Sequence, residues 1–157
     1  MNVTQLAELF KRDLVRLGEE LRAFPDDGAL WKTAPGLTNS AGNLALHLEG
    51  NLREFIGRQL GGVAYQRERP LEFSSKGLSV AEIAARIDAV LPIVVQVIES
   101  LPAARLEELF PEKMSGRDLT IGQVLIHLFG HFSYHLGQID YLRRFLTGNG
   151  AIDLASL

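Results

Sequence analysis

At 157 residues, with 46% hydrophobic and 22% charged side chains, the chain has the length and composition of one soluble globular domain spanning residues 1–157. Sixteen Lys and Arg against nineteen Asp and Glu leave a net charge of −3, which removes the basic footprint of a general nucleic-acid binder. There is no cysteine, so disulfides, thiolate metal sites and a cysteine nucleophile are excluded, and any metal must be held by His, Asp or Glu.

The first residues carry Lys11, Arg12 and Asp13 where a secretory signal needs an apolar run. The longest nearly apolar stretch, Ala89 to Ile98, falls far short of the ~18 residues of a membrane span. A cytoplasmic protein with no membrane partner is the expectation.

The first helical pattern runs from about Thr4 to Phe24. Leu6, Leu9, Phe10, Leu14, Leu17 and Leu21 recur at three- and four-residue steps, the stripe of an amphipathic helix, and Lys11, Arg12, Arg16, Glu19 and Glu20 cover its other side. Phe24-Pro25-Asp26-Asp27-Gly28 reads as a turn. The second helix begins at Asn39 or Ser40, whose short polar side chains suit a cap, and stops near Leu60 before Gly61-Gly62. Between it and the third lie residues 62–78, a connection long enough to be functional or flexible. The third helix opens on the capping box Ser79-Val-Ala-Glu82 and continues to Leu101, with Pro92 inside it. The fourth opens on Thr120-Ile-Gly-Gln123 and runs to about Leu146, before Gly148. Strand patterns are nearly absent. These elements predict an all-α fold, a four-helix bundle whose long second connection frees helices two and three from being antiparallel neighbours.

Three of the four histidines, His127, His131 and His135, stand four residues apart, so each is offset by 40° and all share one stripe. Val124, Leu128, Gln138 and Leu142 fall close to the same stripe, which assigns the histidines to the buried face. Helix two repeats the pattern: Asn43, His47, Asn51 and Glu54 form a polar ribbon in a helix that also offers Leu44, Leu48, Leu52 and Phe55. Buried polar groups are costly unless paired or metal-bound, and two inward polar ribbons facing each other would satisfy that requirement together. His127 and His135 lie about 12 Å apart along the helix axis, too far to share an ion. One adjacent pair plus His47 therefore makes a three-histidine divalent site with positions left for water or substrate, the mark of a catalytic centre. Ordinary core histidines are the competing reading. Phe132 follows His131, so the HExxH signature and its general base are missing, which argues against a peptidase.

The run His127-Leu-Phe-Gly-His131-Phe-Ser-Tyr-His135-Leu-Gly137-Gln138-Ile139 resembles the HxxxHxxYHxGQI helix of the DinB/YfiT-like metalloenzymes. The segment Asn39 to Arg53, with its single His47, is similar to that family's second helix, and Arg67-Glu-Arg69-Pro70-Leu-Glu72-Phe73 resembles a DUF1572-like branch. The resemblance spans essentially the whole chain. It implies an up-down-down-up four-helix bundle, often a homodimer, with zinc or nickel held by His47, His131 and His135. His127 is then a pocket residue one turn earlier, near Tyr134, Gln138 and Asn51, which could orient the histidines or a ligand. Relatives with known reactions include thiol-dependent S-transferases using bacillithiol or mycothiol and a mycothiol-dependent maleylpyruvate isomerase. The resemblance thus implies a metal-dependent, S-transferase-like enzyme on a small-molecule substrate, with a low-molecular-weight thiol as cosubstrate. A metal-dependent hydrolase and a non-enzymatic metal- or small-ligand-binding protein are the alternatives. Glu54 is the nearest acid/base candidate, set against an ion pair with Arg58. Trp31 either covers the pocket mouth or packs in its loop. Arg67 and Arg69 either bind an anionic substrate or lie solvated. Arg143 and Arg144 complement the last helix's dipole and receive no chemistry.

Overall fold

The apolar stripe of the first pattern becomes helix α1 (Val3–Arg22), started by the Asn2 side chain accepting from the Thr4 amide. Its Leu6, Phe10, Leu14, Leu17 and Leu21 are all buried. The computed structural model describes residues 2–114 and 116–152. Within them follow α2 (Asp27–Trp31), α3 (Ala41–Leu52), a π-helical turn (Arg53–Arg58), α4 (Arg69–Ser74), α5 (Val80–Ser100), a 3-10 turn (Ala103–Glu107) and α6 (Ile121–Thr147). Two isolated bridges, Leu109 with Thr120 and Met114 with Arg117, are the only extended pairing among the described residues, so the fold is all-helical. No described helix is long and apolar enough to cross a membrane.

The expected caps close the helices. Ser40, Ser79 and Thr120 each accept from the amide three residues on, and Asn43, Glu82 and Gln123 reach back to the cap. Pro92 sits inside α5. The expected turn at Phe24–Gly28 contains the start of α2, capped by Asp26 accepting from the Ala29 amide at 2.8 Å. The long second connection contains α4, entered through Pro70.

The second helix departs most from expectation. Its α-helical hydrogen bonding ends at Leu52, and beyond it the Gln59 amide donates to the Glu54 carbonyl and Gly61 to Ile56, five residues back. This wider turn advances each residue by less than the 100° of an α-helix, so it shifts the faces of the residues that follow Glu54.

α1 packs chiefly on α5, while α3 lies against α4, α5 and α6. Residues from α1, α3, α5 and α6 meet in one hydrophobic cluster. All of α3 is buried, including Asn43, His47, Glu49 and Asn51. The Trp31 ring settles the Trp31 alternatives in favour of packing. It lies where a Cβ on Gly42 would come within 2.8 Å of it, and its Nε1 donates to the Leu78 carbonyl at 2.7 Å.

Two surface expectations are overturned. Glu20 is buried rather than facing water, and Arg143, assigned only to the helix dipole, is 1% exposed. Arg143 Nε donates to Glu20 Oε2 at 2.5 Å, and its Nη2 reaches the Gly150 carbonyl at 3.1 Å. The pair joins α1 to the end of α6. Truncating Glu20 leaves the buried Arg143 with Asp140 at 3.4 Å and the Gly150 carbonyl as its partners; breaking a buried pair costs up to about 3–5 kcal/mol, whereas replacing both members by apolar side chains is much milder. Glu20→Ala is therefore expected to lower unfolding stability by that amount in urea titrations, and Glu20→Leu with Arg143→Met to recover most of it.

Candidate metal centre

Helix α3 presents His47, and α6 presents His131 and His135 one turn apart. One ring nitrogen from each lies within 4.8 Å of the others. His131 Nε2 stands 3.2 Å from His47 Nε2 and 3.1 Å from His135 Nε2. Two nitrogens bound at about 2.0–2.1 Å to one tetrahedral ion sit roughly 3.3 Å apart, so the three rings fit a divalent cation.

The outer nitrogens are held as well. Glu72 Oε2 lies 2.8 Å from His47 Nδ1, and Gln138 Oε1 lies 2.6 Å from His135 Nδ1. Both oxygens accept, so these rings carry their proton on Nδ1 and direct the Nε2 lone pair inward. The Asn51 amide nitrogen is 3.1 Å from His47 Nε2 and 3.4 Å from His131 Nδ1. Partners of this kind set tautomer and ring angle at metal centres. Burial, then the charges of His135, His47, His127 and Arg67, lower His131 to about 4. Burial also lowers His135 against the raising effect of its bond to Gln138. The free-base form that ligates metals is thus the resting form at neutral pH.

Glu72 was not among the sequence candidates. It lies on α4 and is buried. Arg67 grips it with two bonds, Nε to Oε1 at 2.7 Å and Nη2 to Oε2 at 2.9 Å. Burial raises the Glu72 carboxyl, but the hydrogen bonds from His47 and Arg67 outweigh it and hold the group below its ordinary value. Gly50 makes the approach possible, because a Cβ there would overlap Glu72 Oε1. Asn43 fastens α4 to α3, its Nδ2 donating to the carbonyls of Glu72 at 3.0 Å and Ser75 at 3.1 Å. The polar ribbon of α3 is therefore met by α4 as well as by α6. The spacing Gly50, Arg67, Glu72 carries no periodic pattern; the clue available in the sequence was a carboxylate beside an arginine in an overlong connection.

The remaining candidates fall in different places. Glu54 is bonded to Arg58 and Gln59, and the Arg58 bond holds its carboxyl below the ordinary range; the ion-pair role is the one the structure contains. Arg67 is committed to Glu72 rather than solvated, and Arg69 lies over the Phe73 ring. His127 is exposed, contrary to the buried face expected for all three histidines, with its ring 6.4 Å from that of His131. Tyr134 is exposed, its ring 5.3 Å from His135. On the outer side of His135 a pocket of about 690 Å³ opens between residues 34–39 and the face of α6 that carries Tyr134, Gln138, Tyr141 and Phe145.

The family model of the DinB superfamily matches residues 9–139. The chain belongs to the DinB superfamily. Among solved structures it is similar to a conserved protein from Enterococcus faecalis, at TM-score 0.77 and 17% identity over 95% of this chain and 99% of that one. It is also similar to a DinB-like protein from Bacillus cereus, at TM-score 0.72 and 18% identity over 94% of each chain. At these identities the likeness is one of fold. No curated protein matches the chain.

Two outcomes are expected. By metal analysis of untagged protein, alanine at His47, His131 or His135 removes most bound divalent metal, His127→Ala leaves stoichiometry intact, and Glu72→Gln weakens affinity about 10–100-fold. Metal at a hundredfold excess over Kd adds about 2.7 kcal/mol to wild-type stability, a gain the three alanine variants lose. In the metal-free protein, His131 titrates near 4 when folded and near 6.5 when unfolded. The unfolded chain then binds more protons between those values, so stability falls as pH drops through that window. Urea midpoints measured across it fall less steeply in His131→Ala than in wild type.

Proposed function

We propose that this DinB-superfamily chain is a metal-dependent enzyme that joins a low-molecular-weight thiol to a small electrophile. The observation that supports it most is the inward convergence of three Nε2 atoms with their rings fixed from behind, beside a pocket that includes His135 in its wall. Three protein donors leave a coordination position for an exogenous group, as catalytic sites do. Imidazole donors suit zinc and nickel. Bound there, a divalent ion lowers the pKa of a thiol or water. The chain has no cysteine, so the sulfur nucleophile must come from a cosubstrate. In the transfer, sulfur forms a bond to carbon while the carbon–leaving-group bond breaks. The leaving group takes the electron pair and the thiol proton passes to solvent.

The protein's share is positional. Glu72 and Gln138 keep two rings from turning, and α4 walls the centre off on the side of His47. The reading carries with it the up-down-down-up bundle order and the homodimer implied by the family resemblance.

The test is thioether formation by zinc- or nickel-loaded protein with monochlorobimane and a panel of low-molecular-weight thiols. Fluorescence growth at least tenfold above the protein-free rate is expected, falling to that rate in His131→Ala. A wild-type rate equal to the protein-free one for every thiol overturns the transferase reading. Cleavage of an ester panel without thiol assigns the site to hydrolysis instead.

A further inference from the structure

The pocket beside His135 has a lining that says what kind of molecule enters it. We infer that it receives an uncharged, flat apolar group, the electrophilic partner in the reaction proposed above. The inference deepens that reading and rests on it for the word electrophilic, but the binding preference stands on the pocket alone.

Four observations carry it. Tyr134, Gln138, Tyr141 and Phe145 lie at i, i+4, i+7 and i+11 along α6 and form one stripe down the pocket wall. Three of the four are aromatic, and they remain 64%, 72% and 72% exposed, as does Leu37 opposite at 51%. Large apolar side chains kept in water on a concave surface mark a binding site rather than chance exposure. The volume of about 690 Å³ falls in the range of small-molecule pockets, roughly 300–1,000 Å³. Finally, no Lys, Arg, Asp or Glu lines it among the described residues. Besides the His135 imidazole, the polar groups are uncharged: the Gln138 amide, the Thr38 hydroxyl, the Asn39 amide and the tyrosine hydroxyls.

The arginines that might answer an anion are already paired. Arg67 is held on the Glu72 carboxylate, on the far side of His47, and Arg144 lies 5.3 Å from the centroid of the Tyr141 ring with Asp140 3.5 Å from its Nη1. In the metal-free protein an anion on this aromatic wall would lose its water without gaining an unpaired cation. A flat neutral group gains aromatic contact at no such cost. A second copy of this chain is the other occupant such a face could take, but concavity and the presence of His135 in the wall favour a ligand that approaches the metal centre.

The experiment compares naphthalene-2-carboxamide with naphthalene-2-carboxylate, equal in shape and different in charge, by NMR titration of metal-free protein at pH 7.5. Omitting metal prevents the carboxylate from binding as a ligand to the ion. Wild type is expected to bind the carboxamide at least tenfold more tightly than the carboxylate. Tyr141→Lys, and independently Leu37→Lys, should reverse or abolish that preference while divalent-metal stoichiometry stays that of wild type. Equal or tighter binding of the carboxylate by wild type overturns the inference. So does binding of neither probe by wild type, and sedimentation showing that Tyr141→Lys halves the wild-type mass would then assign the face to a second copy. Because probe binding is read without metal or thiol, it can fail while thioether formation succeeds, and the reverse.

Discussion

Helix α3 is buried on every side, and this constraint organises the rest of the molecule. A helix in that position is expected to be apolar all round, yet α3 carries Asn43, His47, Glu49 and Asn51. Each must find a partner inside the protein, because an unsatisfied buried group costs about 1–3 kcal/mol. Asn43 takes the carbonyls at the end of α4, His47 the Glu72 carboxylate, and Asn51 the rings of His47 and His131. Glu49 is shared between Arg53 at 2.8 Å and Arg86 at 2.7 Å. The three-histidine cluster is one stretch of this network, held by the same requirement that positions α4 and ties α5 to α3.

The arrangement at Gly50 shows how close that packing is. Glu72 occupies the space a side chain at residue 50 would need, and it brings a negative charge into the interior. Arg67 offsets it with two parallel bonds, the geometry in which a guanidinium binds a carboxylate most strongly. With Arg67 present, the Glu72 carboxylate stays ionised and keeps accepting from His47 Nδ1. Without it, burial would favour the protonated acid, which is a weaker acceptor for the imidazole proton. The arginine that the sequence offered as a substrate-binding cation thus acts at one remove, through a carboxylate and a histidine.

What could be read from the sequence depended on periodicity. The long helices, their Ser40, Ser79 and Thr120 caps and the histidine stripe all follow from three- and four-residue spacing, and the structure contains them close to the expected ends. Helices α2 and α4 span five and six residues, too few for an 11–18-residue pattern to register. Glu54 was offered as an acid/base group by its place on the His47 face, but its carboxylate is taken up by Arg58 and Gln59 where the helix widens into a π-helical turn. Turns of that kind recur at functional sites, and here the turn begins two residues after Asn51. Glu20 was assigned to the solvent-facing side because charge usually lies there, and Arg143 to the helix dipole alone. Their pairing across 123 positions of sequence leaves no local trace.

The two sides of the metal centre differ in kind, and the difference bears on what the centre can do. Behind His47 lie charge and fixed hydrogen bonds: Glu72, Arg67 and the Asn43 tether. That side is closed by α4 and holds a ligand ring in a single orientation. Beside His135 the outer ring nitrogen donates to neutral Gln138, and the wall beyond is aromatic and open. Rigid polar support fixes donor geometry without being drawn into exchange with solvent. An open apolar wall admits a reactant and removes water from around it, which strengthens any charge interaction made there. A charged rear and an uncharged front therefore lie on two faces of one three-histidine cluster, the first suited to fixing ring geometry and the second to apolar contact.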